Sequence, residues 1–344
     1  MFRRFLCMLL IFCLAAGTAC ADVYQMKDKW PRITKYQVEK ALKSIEELPA
    51  GSVVSLDGVS INATEIAKLM TGRPDLTFQC QIPFGKAKVP QDTVDFNLDS
   101  MKPGKVGATQ LLNGFTCLPH LEHVVMYNQP ITVKDMEKIL AAKPDTDFEW
   151  TVRIDSYKIR TDVTAFSTMK GRQDPRYTSK QMEPLKYCEN LQAIDLGHNN
   201  VNDLSFLTNW PDLKVIIIID SKKRITDLTP LTNLDQLEYV EMFMQNITDL
   251  TPLANKPNLK DLNLCHNNIT DLTPLYGNQA LERLWIHSNP NLTQDQIDAF
   301  KAAVPGCQVI SEGYQSTGFG WRDHPRYATI LKMFETRTYI PFDQ

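Results

Sequence analysis

Between residues 185 and 296 the sequence repeats itself five times, at a period of 22 residues with one member stretched to 24. This constrains the fold more than any other feature. The unit from Leu253 to Pro274 reads LANKPNLKDLNLCHNNITDLTP, and the shared pattern is L-x-x-L-x-L-x-x-N-x-I. Leu259, Leu262, Leu264, Asn267 and Ile269 are its clearest members. Alternation at Leu262 and Leu264 turns one face of a short strand inward. Leu259 and Ile269 extend the apolar set where the chain enters and leaves the strand. The asparagine amide satisfies backbone groups at the bend. A single such coil cannot bury its apolar side, whereas stacked coils can. Ser221 and Gln245 replace the asparagine in two units, and Asn291 replaces the last aliphatic residue in the final one.

These units resemble the 22-residue class of bacterial leucine-rich repeats found in internalin-like surface proteins. The resemblance implies an α/β leucine-rich-repeat solenoid, a horseshoe with one curved parallel sheet whose concave face binds proteins. Residues 1–344 depart from the internalin-like pattern in showing no sorting signal with a terminal hydrophobic helix, so covalent attachment to a cell wall is not expected.

The amino-terminal half repeats at a longer period. INATEIAKLMTGRPD at 61–75 matches ITVKDMEKILAAKPD at 131–145, an offset of 70. Phe78 and Phe148, Phe96 and Phe166, and Leu121 and Leu191 keep the same offset. Each such unit reads as three irregular coils. Asn62 and Thr132 are helix N-cap candidates, and Pro74 and Pro144 stop the helices. Thr293 and Gln296 form a capping-box pattern over a third related helix. One continuous solenoid with a single sheet from about 52 to 309 is therefore expected. The expected divisions are a leader at 1–21, a cap at 22–51, irregular coils at 52–184, regular repeats at 185–309 and a carboxy-terminal cap at 310–344. The first cap carries a helix over Thr34 to Leu48. The second covers the last open coil.

Arg3 and Arg4, the apolar run from Phe5 to Ala16, and Ala19-Cys20-Ala21 have the form of a secretory signal. Cleavage after Ala21 gives a secreted or cell-surface protein. Lipid anchoring at Cys20 is the alternative, although Gly17 stands where a lipoprotein signal has an aliphatic residue. No later stretch is apolar enough to span a bilayer, so the mature chain is expected to have no transmembrane segment. Five cysteines then remain, widely spaced and without metal-ligand spacing. At most one disulfide is expected. The formal net charge is -3, which gives no basic excess for nucleic acid.

Strand alternation assigns the outward, concave positions. They include Ile217, Ile219, Tyr239, Glu241, Phe243, Asp261, Asn263, Arg283, Trp285 and His287. Aliphatic and aromatic residues here are anchors expected of a protein or peptide interface. Cover of 216–219 by the longer loop of the 24-residue unit is the bland reading of the isoleucines. Tyr239, Phe243 and Trp285 suit sugar rings as well, so a carbohydrate ligand is a further reading, and a structural or adhesive envelope scaffold another. Asp195, Glu241 and Asp261 on neighbouring coils raise a paired carboxylate, and Cys265 beside His266 or His287 raises a thiol nucleophile. Neither fits a known catalytic pattern. The expectation is a non-enzymatic binding module without cofactor or metal.

Overall fold

In the computed structural model, residues 23–169 and 176–343 are described. The leader expected at 1–21 lies outside the described residues. The chain forms two compact units. The first takes the chain up to Val125 together with Gln129–Phe148, and the second takes Met126–Asn128 and everything from Glu149.

The first unit is built from helices and short strands. Tyr24–Gln25, Val53–Ser55 and Thr77–Gln79 pair in parallel. Asp95–Asn97, His123–Val125 and Asp147–Glu149 make a second three-stranded sheet, whose last residue passes into the other unit. Helices Ala63–Gly72, Ala108–Thr116 and Val133–Ala142 alternate with the strands. The Asn62 side chain accepts from the backbone N–H groups of Thr64 and Glu65, and the Thr132 side chain accepts from Asp135. Each thereby satisfies donors that the first helical turn leaves over. Apolar residues such as Ile66, Leu69, Met136 and Ile139 line the buried helix faces. The expected helix near the amino terminus is shorter than the sequence reading, spanning Val38–Ser44.

The parallel strands do not form one sheet. They fall into sheets of three, three and seven strands. The reason lies in the middle of each 70-residue unit, where an antiparallel hairpin replaces the expected coil. Gln81–Phe84 pairs with Ala87–Pro90, and Thr151–Ile154 with Tyr157–Arg160. The turns use Gly85 at φ +60° and Asp155 at φ +51°, again 70 residues apart. Left-handed residues at this place match the twist of a tight hairpin.

The second unit holds the seven-stranded parallel sheet. Its strands are Ala165–Ser167, Ala193–Asp195, Val215–Ile217, Tyr239–Glu241, Asp261–Asn263, Arg283–Trp285 and Gln308–Ile310, paired in that order. Ile194, Ile216, Val240, Leu262 and Leu284 point into the coils and are fully buried. Short 3-10 helices, such as Thr229–Leu231 and Thr251–Leu253, return the chain and place Leu231 and Leu253 in the same core. The turn after each of the five strands from Ala193–Asp195 to Arg283–Trp285 carries a left-handed residue: His198, Asp220, Met244, His266 and Ser288. The repeat-asparagine position follows each of them, held by Asn199, Ser221, Gln245, Asn267 and Asn289. Asn267 donates to the carbonyls of Met242, Leu264 and Cys265, and its side-chain oxygen accepts from Ile247 N–H. In the stretched region Ser221 is too short for this work. Gln245 reaches back instead to the Ile218 carbonyl and the Ser221 hydroxyl, and accepts from Ile225 N–H.

The helix Gln294–Ala303 has Thr293 accepting from Gln296 N–H. The expected reciprocal box is not made there, because the Gln296 side chain accepts from Leu272 N–H. A reciprocal box does occur at Thr178 and Gln181, at the start of Ser179–Met182.

Candidate functional site: the strand face of the second unit

The carboxy-terminal residues do not close the end of the stack, as the sequence reading had them. After the last strand, Gln308–Ile310, the chain turns back and crosses the outward face of the sheet. Its backbone first meets the sheet at Tyr314, whose carbonyl accepts from His266 Nε2 at 3.3 Å. Its helix is Pro325–Thr336. At the far side the Arg337 carbonyl accepts from the N–H groups of Thr164 and Ala165, each at 3.2 Å. Tyr339 N–H then donates to Thr164 Oγ1 at 2.7 Å. The Pro at the first helical position and His324 at the N-cap start the helix where the chain leaves the turn.

All ten residues expected on the concave face lie beneath this segment or beside it, and none is exposed. Ile217, Ile219, Tyr239, Phe243 and Trp285 pack with Trp321, Ile330 and Met333 in one apolar cluster. Phe334, Tyr339, Ile340 and Phe342 pack around its margin. Trp321 is fully buried. Its ring centroid lies 5.4 Å from that of Tyr239 and 5.0 Å from that of Trp285. The expectation of solvent-facing aromatics is thus corrected. Strand alternation does turn these groups outward, but the chain supplies the surface that desolvates them. Cover by the stretched loop, the bland reading for the isoleucines, is not needed to bury them.

The polar positions are used as consistently. Glu241 is buried, with Oε1 accepting from Trp321 Nε1 at 2.8 Å and Oε2 facing Arg322 at 2.7 Å. The Tyr239 hydroxyl also donates to it. Burial raises the Glu241 carboxyl above its ordinary range, and Arg322 is the largest influence working against that rise. Asp261 is held by Arg283 and, at 3.0 Å, by Arg326. Arg326 also pairs with Glu282. Asp195 accepts from Ser167 Oγ at 2.9 Å and from Gly197 N–H at 3.0 Å. Its burial pushes it up to about 6. Each of the three carboxylates is therefore committed to its own donors, which is not the shared arrangement of a catalytic pair.

The rest of the face reads main-chain carbonyls. Asn263 Nδ2 donates to Ser316 at 2.7 Å, and Trp285 Nε1 to Gly318 at 3.1 Å. His287 Nε2 donates to Gln315 at 3.1 Å, and Arg283 to Trp321 at 3.3 Å. Burial pulls His287 below its ordinary value, the state in which a neutral ring donates through one nitrogen.

Trp321, Arg322, Arg326 and Arg337 were not among the sequence-derived site residues. The signal was present: a run of aromatic and basic residues after the last repeat, opposite outward positions that include Asp195, Glu241 and Asp261.

The thiols of the described residues are held protonated by burial. Cys80, Cys117, Cys188, Cys265 and Cys307 are all free, and burial pushes each up to about 12. A thiol held there is not a thiolate at neutral pH. Among the described residues, no group of three or more His, Cys, Asp and Glu could hold a metal. Among the same residues, no helix is long and apolar enough to cross a membrane.

Comparison with known proteins agrees with the repeat pattern. Residues 257–302 match the family model described as leucine-rich repeats, two copies. That part of the chain is of leucine-rich-repeat type. A comparison with curated protein sequences finds no match. Among solved structures, internalin C2 of Listeria monocytogenes is 24% identical over 53% of this chain and 75% of its own, with a TM-score of 0.29. A leucine-rich-repeat protein of Leptospira interrogans is 14% identical over 75% of this chain and 71% of its own, with a TM-score of 0.32. A second internalin of Listeria monocytogenes is 13% identical over 88% of this chain and 96% of its own, with a TM-score of 0.30.

Proposed function

We propose that this chain is a secreted or surface-exposed binding module, resembling internalin-like proteins, that recognises a protein or peptide on the strand face of its second unit. The observation that supports this is chemical. Asn263, Trp285, His287 and Arg283 each donate to a main-chain carbonyl. A row of side-chain donors set to read peptide carbonyls is the equipment of a surface that takes a polypeptide. In the closed form that polypeptide is the chain's own carboxy-terminal segment. Of the aromatic residues offered for a sugar, Tyr239 and Trp285 are spent on Trp321 and Phe243 is buried in the same cluster, so the carbohydrate reading has less to support it.

A second reading treats the segment as a permanent cap and the molecule as an envelope scaffold. Full burial of Trp321 and Met333 favours it. Selection from a displayed library of random peptides separates the two. The bait is the full chain with Trp321→Ala and Arg326→Ala, with the parent chain alongside. The binding reading expects enrichment on the loosened chain, lost when Asn263→Ala and Trp285→Ala are added. No enrichment on either bait, or enrichment indifferent to those two changes, would leave the scaffold standing.

A further inference from the structure

The carboxy-terminal segment specifies what chemistry the strand face selects. Contacts to the carbonyls of Tyr314, Gln315, Ser316, Gly318 and Trp321 are indifferent to sequence, since every residue offers a carbonyl. Three side chains of the segment are read individually. Trp321 fills the aromatic slot between Tyr239 and Trp285 while donating to Glu241. Arg322 takes the other oxygen of Glu241. Arg326, four residues further on, takes both oxygens of Asp261 and reaches Glu282. The two carboxylates that do the reading are themselves fully buried and fixed on neighbouring strands. Asp261 keeps Arg283 of the next strand whatever lies above it, whereas the ion pair of Glu241 is made with Arg322 of the segment, so a ligand without a matching cation is selected against most strongly at Glu241.

We infer that the external partner of this face is a protein segment of basic and aromatic character. It carries a tryptophan, an arginine directly after it and a second arginine four residues later, and it competes with residues 314–339 for the same surface. This rests on the binding reading given above. The carboxy-terminal segment then acts as a tethered competitor. Its high effective concentration keeps the face closed to weak ligands and opens it only to a partner of matching chemistry.

The test keeps the whole chain and cuts it only after folding. Glu312 and Gly313 are exposed between the last strand and Tyr314, so a protease recognition sequence inserted there leaves the closed form intact until it is nicked. A fluorescent peptide with the sequence of residues 314–344 is then added and its anisotropy followed. Saturable exchange with the nicked segment is expected. The same peptide carrying Trp321→Ala should exchange at least about tenfold more weakly, and so should one carrying Arg322→Ala with Arg326→Ala.

A peptide with all three positions changed to alanine that exchanges as well as the parent would overturn the partner class while leaving peptide binding in place. Circular dichroism of the nicked complex is read in parallel. If the repeats melt when the segment is competed away, or if no peptide exchanges at all, the segment belongs to the core, and the binding reading falls with the inference. A substitution in the recipient gives an independent measure. Glu241→Gln, made in the nicked chain, should abolish the preference for arginine at position 322 without abolishing exchange. An unchanged preference would overturn the assignment.

Discussion

The strands of the two units have the same inward residues and opposite outward ones. Val54, Phe78, Val124 and Phe148 fill the first unit as Ile216, Val240, Leu262 and Leu284 fill the second. Outward, the first unit offers Thr77 and Gln79 flanking Phe78, and Asp95 and Asn97 flanking Phe96, all four exposed. The second offers Val215, Ile217, Tyr239 and Trp285, all buried. Inward positions are dictated by the coil, which needs a core whatever surrounds it. Outward positions report whether anything lies on the sheet. In the second unit the strand face is the floor of a second apolar core, roofed by the carboxy-terminal segment.

The largest test of that contrast is Trp321→Ala. It removes the centre of the roof, and a buried tryptophan cut to alanine costs about 3–5 kcal/mol. Thermal unfolding followed by hydrogen exchange should show the strands from Val215 to Trp285 losing protection, while His123–Val125 keeps its own. Equal loss in both places, or in neither, would break the distinction between a roofed and an unroofed face.

A smaller effect comes from Asp195, whose carboxyl is raised by burial. Asp195 titrates at about 6 when folded against an ordinary 3.8. The folded protein therefore holds this proton over that window where the unfolded chain does not, and stability falls as pH rises from about 4 through 6. Asp195→Asn should remove the fall. At pH 8 the variant should be more stable than the parent by about 3 kcal/mol, with little gain at pH 4. Chemical denaturation at the two pH values measures it, and a gain of equal size at both would show that Asp195 is not held protonated by burial.

The smallest effect is expected on the open face. Gln79→Ala removes an exposed outward side chain of the first unit and should change stability by less than about 0.5 kcal/mol. A loss comparable to that of a buried position would mean that this face too is covered in solution.

Much of the fold was legible because it is local. The leucine spacing around Leu259, the asparagine bend and the N-caps at Asn62 and Thr132 are each settled within a few residues. The hairpins were legible in principle. Ile82 and Phe84 alternate into Gly85, and Ala87 and Val89 alternate out of it, but the 70-residue period invited a reading as coils. The roof was not legible from periodicity at all. Trp321 and Arg322 meet Glu241 across 80 and 81 residues, and Arg326 meets Asp261 across 65. Alternation found the outward residues of the floor correctly. It says nothing about what a distant, non-repeating segment will do with them.

The asparagine row has a consequence for how such a chain changes by insertion and loss. Each rung grips the coil before it, so its arm must match the length of that coil. The coil lengthened to 24 residues has a serine rung, and the next rung is a glutamine, one methylene longer, that reaches the Ile218 carbonyl and the Ser221 hydroxyl. The two departures from asparagine are thus a matched pair. Deleting the two extra residues alone would leave Gln245 with an arm too long for its neighbour, and restoring asparagine at 245 alone would leave it too short. Units of this stack are not exchangeable one at a time, and the boundary at which a copy could be inserted or removed without penalty lies between Asn267 and Asn289, where the rungs are alike.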